Sequence, residues 1–220
     1  GIHSKVRDYI ELSSKKRHSF QVCYRGVSDL NPGSDIGSAL REYWDKGKRV
    51  GYVQINKNQV YWYTVFDQTK SYLNKKQIVD SFINYPSFIP TMLNQTKEQK
   101  ILTNDMIDLN MPNKWFKESV CLIGDAVHAM TPNMGQGACQ GIESAYVLGS
   151  LIDKETSLEE SFSKYKLKRQ KKVKTITTRS WNIGKLSHIK NGLFISIRNY
   201  LMRKTPKFVL KKQFEMIFKI

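Results

Sequence analysis

No stretch of this sequence approaches the ~20 consecutive apolar residues that a helix needs to cross a bilayer. Cysteine is scarce. Cys23, Cys121 and Cys139 are odd in number and widely spaced. They fit neither a zinc-ligand spacing nor a disulfide framework, and they read as buried, reduced thiols of a cytoplasmic protein. His3 and His18 have no Cys, Asp or Glu at ligand spacing, so no metal site is expected. No G-x-S-x-G occurs, so the signature of a serine-hydrolase elbow is missing. A G-x-G-x-x-G opening a helix after a strand is missing too; the glycine cluster of the chain is Gly135 to Gly141. There is no internal repeat and no low-complexity segment.

Acidic residues are also few, with 19 Asp and Glu against 36 Lys and Arg for a net charge of +17. Residues 154–220 hold 18 Lys/Arg and 4 Asp/Glu, so 14 of the 17 excess charges lie there. A region of this kind can bind anionic lipid, nucleic acid or an acidic partner, or it can be a solvated helix face. The solvated face is the plainer reading; no nucleic-acid partner is expected, and a weak contact with an anionic membrane surface stays open. Apolar content of 40% over 220 residues is enough for a sizeable core in one or two domains.

What is present centres on Val120 to Leu151. Val120 to Ile123 is an apolar run long enough for a buried strand. Gly124-Asp125 then makes a turn that presents a carboxylate, and Pro132 precedes the loop Gly135-Gln136-Gly137. From Ala138 the apolar residues Ile142, Ala145, Val147, Leu148, Leu151 and Ile152 recur at helical spacing. Glycines let backbone N–H groups approach a ligand, and a helix start adds unpaired donors and partial positive charge. The arrangement suits a phosphate or an electron-rich ring, with Asp125 accepting from a sugar-like hydroxyl. It serves equally as a structural strand-turn-helix whose glycines only make room.

Gly124-Asp125-Ala126-Val127-His128, Pro132, Gly135-Gln136-Gly137 and Glu143-Ser144-Ala145 together resemble the second flavin motif of the class A flavoprotein monooxygenases, the FAD-dependent aromatic hydroxylases. The wording Met130-Thr131-Pro132-Asn133-Met134-Gly135-Gln136-Gly137 is closest to the salicylate-hydroxylase-like, urate-hydroxylase-like and zeaxanthin-epoxidase-like branch. Ser144 departs from the family's usual Asp; a changed contact is expected there, with flavin binding kept. Gly1-Ile2-His3-Ser4-Lys5-Val6-Arg7 resembles the end of the family's middle motif. The resemblance implies that Asp125 binds ribityl or ribose hydroxyls and that the Gly135, Gln136, Gly137 and Ala138 backbone faces the pyrimidine edge of the flavin ring. It implies that Pro132 shapes the adjoining wall, and that Arg7 lies near the pyrophosphate or nicotinamide side. His128 reads as an ordering residue of the motif.

The remaining elements follow in order. Val6 to Leu12 reads as a short helix ending near Ser13-Ser14, and Ser19 to Val27 alternates like a half-buried strand. Tyr24-Arg25-Gly26 resembles the aromatic-Arg-Gly signature that opens the family's substrate domain. Asn31-Pro32-Gly33-Ser34 is a turn, and Ile36 to Trp44 leans to helix. Gly47 to Ile55 and Gln59 to Phe66 form a hairpin across Asn56-Lys57-Asn58, with Val60, Trp62, Thr64 and Phe66 on one face. In the related branch this hairpin faces substrate, which makes Arg49 and Tyr61 candidate catalytic residues that hold and tune an anionic or phenolic group. Taken without the resemblance they are a surface arginine and a sheet aromatic. Helices are expected at Lys75 to Asn84, Pro86 to Thr96, Leu158 to Arg179, Leu193 to Met202 and Phe208 to Ile220, with Trp181 to Ile189 either continuing the long helix or breaking at Gly184. Ile101 to Leu109 is a strand.

The expected fold is α/β (α+β), part of a Rossmann-like FAD domain interrupted by an antiparallel substrate sheet. Residues 1–14 would end the middle FAD segment, 15–105 form the substrate sheet, 106–155 carry the Gly-Asp motif, and 156–220 form basic helices. The expected activity is NAD(P)H-driven monooxygenation, in which a flavin hydroperoxide delivers one oxygen atom of O2 to an aromatic or otherwise electron-rich small molecule. A same-fold halogenase or isoprenoid reductase, and a non-enzymatic basic binding module, are the alternatives. The resemblance implies that these residues are the C-terminal part of a longer hydroxylase, inactive when alone and either poorly soluble or in need of a partner chain.

Overall fold

The computed structural model describes residues 1–12, 14–31, 39–154 and 157–218, apart from the side chains at 210, 213, 214 and 216. In chain order the elements are α1 (Lys5–Tyr9), β1 (Lys16–Asp29), β2 (Arg41–Asp45), β3 (Lys48–Asn56), β4 (Gln59–Asp67), α2 (Lys75–Asp80), α3 (Phe88–Gln95), β5 (Leu102–Leu109), β6 (Phe116–Lys117), β7 (Val120–Cys121), α4 (Asp125–His128), α5 (Gly137–Ile152), α6 (Leu158–Ser187), α7 (Gly192–Arg203) and α8 (Lys207–Phe218). The mixture of helices with antiparallel sheet is the expected fold class. The chain divides into two compact units, 1–19 with 107–186 and 195–220, and 20–106 with 187–194.

The second unit is built on a sheet of order β2-β3-β4-β1-β5. Alternation along β4 sends Val60, Trp62, Thr64 and Phe66 inward and leaves Tyr61 and Tyr63 on the other face. The inward set packs with Val22, Tyr24, Val50 and Tyr52 against Ile78, Phe82, Ile89, Met92 and Leu93 on and around α2 and α3. A complete capping box starts α2, with the Asn74 and Gln77 side chains each closing the other's backbone donor. Gly26 is forced by packing: a Cβ there would lie 3.0 Å from both the Trp62 ring and Thr96 Cγ2. The indole can therefore lie against β1, and its Nε1 donates to Thr96 Oγ1 at 2.8 Å in a fully buried setting.

The first unit is organised by α6. Its buried residues Phe162, Tyr165, Arg169, Val173, Ile176 and Ser180 recur at helical spacing. Tyr165 and Val173 share a core with Trp115, Leu122, Val127, Val147 and Leu151. Where β5 ends, the wholly buried Asp108 carboxylate takes two bonds from Arg17, Nε at 2.9 Å and Nη2 at 2.7 Å. The same guanidinium stacks 3.8 Å from the Trp181 ring centroid.

Several expectations need correction. Residues 41–45 are strand β2 and not helix, because pairing with β3 (Glu42↔Gly51, Trp44↔Arg49) overrides a weak local preference. Positions 36–38, and most of the turn expected at Asn31 to Ser34, lie outside the described residues. The strand expected over Val120 to Ile123 is the two-residue β7, paired with β6; Ile123 is exposed. The first helix ends at Tyr9 rather than Leu12. Of the two readings at Gly184, continuation holds, and the long helix runs unbroken to Ser187. Cys139 is exposed and Cys23 and Cys121 are half-buried, so the thiols are not all core residues.

Replacing Thr96 with Val keeps its shape and strands the buried Trp62 N–H. Unfolding free energy should fall by about 1–3 kcal/mol, read from urea titration, whereas Thr96→Ser should retain most of it.

Candidate functional site

In the first unit, Gly124 adopts φ +57° and ψ −143°, a conformation that L side chains rarely adopt. A Cβ built on it would sit 3.7 Å from Gly141 Cα, so the turn before α4 lies close to the backbone of α5. Asp125 follows, exposed, its carboxylate without a partner among the described residues. Pro132 opens a short 3-10 turn that ends in Gly135, at φ +63°. Among the described residues, nothing beyond the adjoining chain lies within 4 Å of a Cβ placed on Gly135 or Gly137, and no side chain caps the start of α5 at Gln136. Pro132, Gly135 and Ala138 are exposed, and Gln136 and Gly137 are half-buried. The front of the loop is thus open backbone at the N-terminus of a 16-residue helix, and the same unit exposes the Asp125 carboxylate.

The back of the loop is fastened by polar groups from α6. Arg169, 1% exposed, donates from Nη2 to Gln140 Oε1 at 2.7 Å and to the Gln140 carbonyl at 3.2 Å. Its Nη1 pairs with Glu143, and its Nε lies 3.3 Å from Ser144 Oγ. Lys172 Nζ adds bonds of 2.8 Å to both Glu143 oxygens. Ser144 Oγ also meets His128 Nε2 at 2.9 Å, and Gln140 Nε2 reaches Gln136 Oε1 at 3.3 Å. One chain of contacts therefore runs from Gln136 through Gln140, Arg169 and Ser144 to His128. Further along α6, Ser180 Oγ donates to the Thr131 carbonyl at 2.5 Å, and Asn133 Nδ2 donates to the Ser180 carbonyl at 2.8 Å.

Arg7 is buried, with Nη1 on the Ala126 carbonyl and Nη2 on the Ile2 carbonyl, each at 2.9 Å. It ties the first residues to the turn that carries Asp125. Ser144, where the resemblance left a changed contact, is the point at which His128 and Arg169 meet.

In the second unit, Arg49 and Tyr61 lie on the sheet face opposite the core. Arg49 is 2% exposed, and its Nη1 is 3.3 Å from Glu42 Oε1. Glu42 also takes the Tyr63 hydroxyl at 3.0 Å and Trp44 Nε1 at 2.6 Å. Burial first, and the Glu42 charge second, push the Tyr63 phenol well above its ordinary range. The Tyr63 ring covers Gly51, where a Cβ would fall 2.3 Å from the ring. Tyr61 is half-buried, its ring 6.3 Å from that of Tyr63, and its phenol is raised chiefly by burial. It lines a pocket of about 370 Å³ with Arg25, Val27, Gln59, Lys100 and Leu102.

Sequence reasoning missed Arg169, Gln140, Ser180, Glu42 and Tyr63. Gln140, Glu143 and Ser144 at i, i+3 and i+4 mark one polar helix face, which was a usable signal. Arg169 carried none, lying among lysines of the same helix. Among the described residues no group of three or more His, Cys, Asp or Glu could hold a metal.

Burial, with the Arg169 charge second, lowers the His128 pKa to about 4, so the folded protein keeps the ring neutral. Since the unfolded ring titrates near 6.5, His128 supports folding fully above about pH 6.5. That support drains away as pH falls toward about 4, by on the order of 3 kcal/mol at most. Urea unfolding at about pH 7 and about pH 5 should show this slope, and His128→Asn should flatten it. Arg169→Leu should cost about 3–5 kcal/mol by leaving buried acceptors without their donor.

The chain resembles known proteins over most of its length. The aurachin C monooxygenase/isomerase of Stigmatella aurantiaca is 30% identical over 209 residues, covering 92% of this chain and 54% of that protein. The 2-heptyl-3-hydroxy-4(1H)-quinolone synthase of Pseudomonas aeruginosa is 25% identical, covering 99% and 58%. The chain thus spans somewhat more than half the length of these curated relatives. HpxO of Klebsiella pneumoniae, solved with FAD and uric acid, superposes with a TM-score of 0.85 at 18% identity, over 99% of this chain and 58% of that one, a likeness of fold. Residues 1–180 match the family model described as FAD binding domain, and the chain belongs to that family.

Proposed function

We propose that the protein is an FAD-dependent, NAD(P)H-driven monooxygenase acting on an aromatic or otherwise electron-rich small molecule. The observation that carries this is the open loop of Gly135 to Ala138 at an uncapped helix start, with the unpartnered Asp125 carboxylate in the same unit. The residues fit the cofactor: a Cβ at Gly135 or Gly137 meets nothing, so the loop front is free to receive a flat ring. FAD held there would supply the redox chemistry that couples NADH or NADPH to O2.

The chain's own residues bind and orient. Asp125 would accept from cofactor hydroxyls. The N–H groups of Gly135, Gln136, Gly137 and Ala138 would donate to the electron-rich edge of the ring and favour negative charge on it. Pro132 would wall the loop, and Arg7 would serve the cofactor through the Ala126 carbonyl that it holds beside Asp125. Tyr61 would hold the substrate's polar group, whereas Arg49, buried and paired with Glu42, would act on that group only through its charge. Residues 15–105 supply the substrate sheet in this reading, 1–14 and 106–155 the cofactor segments, and 156–220 the supporting helices.

The compounds in two relatives' names, the quinolone made by the 2-heptyl-3-hydroxy-4(1H)-quinolone synthase and the zeaxanthin of the zeaxanthin epoxidase of Arabidopsis thaliana, favour a lipophilic ring or polyene substrate here. We place the protein in the cytoplasm, consistent with free thiols at Cys23, Cys121 and Cys139. We further assign it a weak contact with anionic membrane surface through the basic helices after residue 156. No helix among the described residues is long and apolar enough to cross a membrane.

The natural full-length protein should purify with a visible flavin band that NADH or NADPH bleaches and air restores. Absence of that band after incubation with FAD would overturn the proposal and leave a non-enzymatic basic module. Asp125→Ala should weaken FAD binding about 10- to 100-fold in a fluorescence titration, with the unfolding midpoint of the apoprotein unchanged.

A further inference from the structure

A surface helix ordinarily turns its apolar stripe inward and its charges outward. In α7 the one buried residue is an arginine, and its apolar residues are largely exposed. Arg198 is 4% exposed and donates from Nη1 to the Leu186 carbonyl at 3.1 Å, while Leu193, Phe194, Ile197, Tyr200 and Leu201 are 46–68% exposed. At 3.6 residues per turn these five fall within an arc of roughly 120°. They make one continuous apolar face pointing away from the protein, larger than the scattered exposed residues of an ordinary surface.

The charges near that face are of one sign. Arg203, Lys204, Lys207, Lys211 and Lys212 follow the stripe at the end of α7 and along α8, and all are exposed. Residues 187–220 contain eight Lys/Arg and one acid, Glu215. That acid lies 3.9 Å from Lys211, which leaves the other four cations without a carboxylate among the described residues. Phe208, 70% exposed, sits beside Lys207. A second copy of the same surface would bring like charges together. Nucleic acid would satisfy the cations and leave the apolar stripe in water. An anionic bilayer satisfies both: acyl chains receive Leu193, Phe194, Ile197 and Leu201, Tyr200 suits the interface, and headgroups meet the cations. At ~1.5 Å per residue the 12-residue helix is too short to span and would lie in the membrane plane.

We propose that α7 is an interfacial anchor, inserting its 193/194/197/200/201 face into anionic lipid while the Arg203 to Lys212 cations hold the headgroups. This deepens the membrane contact assigned above and rests on it. It adds hydrophobic insertion to an electrostatic attraction, and it would set the enzyme where a lipophilic substrate concentrates.

The test is co-sedimentation of the natural full-length protein with phosphatidylglycerol/phosphatidylcholine vesicles and with phosphatidylcholine alone, at about 0.1 M and about 1 M salt, between which screening shortens from ~10 to ~3 Å. The protein should bind the anionic vesicles at low salt and retain part of that binding at high salt. I197D/L201D should lose at least tenfold in partitioning at both salts, and K204Q/K207Q/K211Q/K212Q should lose it mainly at low salt. Circular dichroism melting checks that each variant folds. Independently, the added fluorescence of Phe194→Trp should be quenched by lipids brominated on their acyl chains. Binding that 1 M salt abolishes and I197D/L201D leaves unchanged, or no quenching at position 194, would overturn the anchor and keep the electrostatic contact. No binding to any vesicle at low salt would overturn both. A dimer that I197D/L201D dissociates, with no vesicle binding, would assign the face to a second copy.

Discussion

One guanidinium sets the glycine loop before α5. Arg169 is removed from water inside a helix that is otherwise rich in solvated lysines, and such a charge is tolerable only when its nitrogens find acceptors. Gln140, Glu143 and Ser144 supply them, and all three lie on one face of α5. The position of α6 thereby fixes the position of α5, and α5 carries the loop at its N-terminus. Ser180 repeats the arrangement further along, gripping Thr131 and Asn133 just before the loop turns. Among the described residues these side-chain holds come from behind the loop, and its front stays bare.

The second unit uses a carboxylate in the same way. Glu42 gathers the Tyr63 hydroxyl, the Trp44 indole and Arg49 on the sheet face opposite the core. The two tyrosines of β4 are separated in chemistry as a result. Tyr63 is committed to Glu42 and held protonated, whereas Tyr61 opens onto a pocket. Of the two, Tyr61 is the phenol free to meet a ligand.

What could be read from the sequence was local. The alternation of Val60, Trp62, Thr64 and Phe66 specifies a strand and its inward face without help from the rest of the chain. The run from Gly124 to Ala145 carries its turn, loop and helix in adjacent residues. Arg169 could not be recognised, because Lys168, Lys171 and Lys172 have the same charge and one turn of helix decides which of them is buried. Residues 41–45 become a strand only by pairing with β3, information that lies outside the segment. The period of α7 announced a helix correctly but could not say that its apolar side faces outward. Cys139 looked like a core thiol and is exposed, because it falls in the first turn of α5 beside the open loop.

Gly51 and Tyr63 form a unit of inheritance. The phenol ring occupies the space that any Cβ on residue 51 would need, and its hydroxyl completes the Glu42 cluster. Neither position can drift alone. A side chain gained at 51 expels the ring and strips Glu42 of a donor, and a small residue at 63 leaves a hole over bare backbone. Along any lineage that keeps this sheet, the two sites should change together or stay fixed, so that a pair of neighbours 12 positions apart in sequence evolves as a single character.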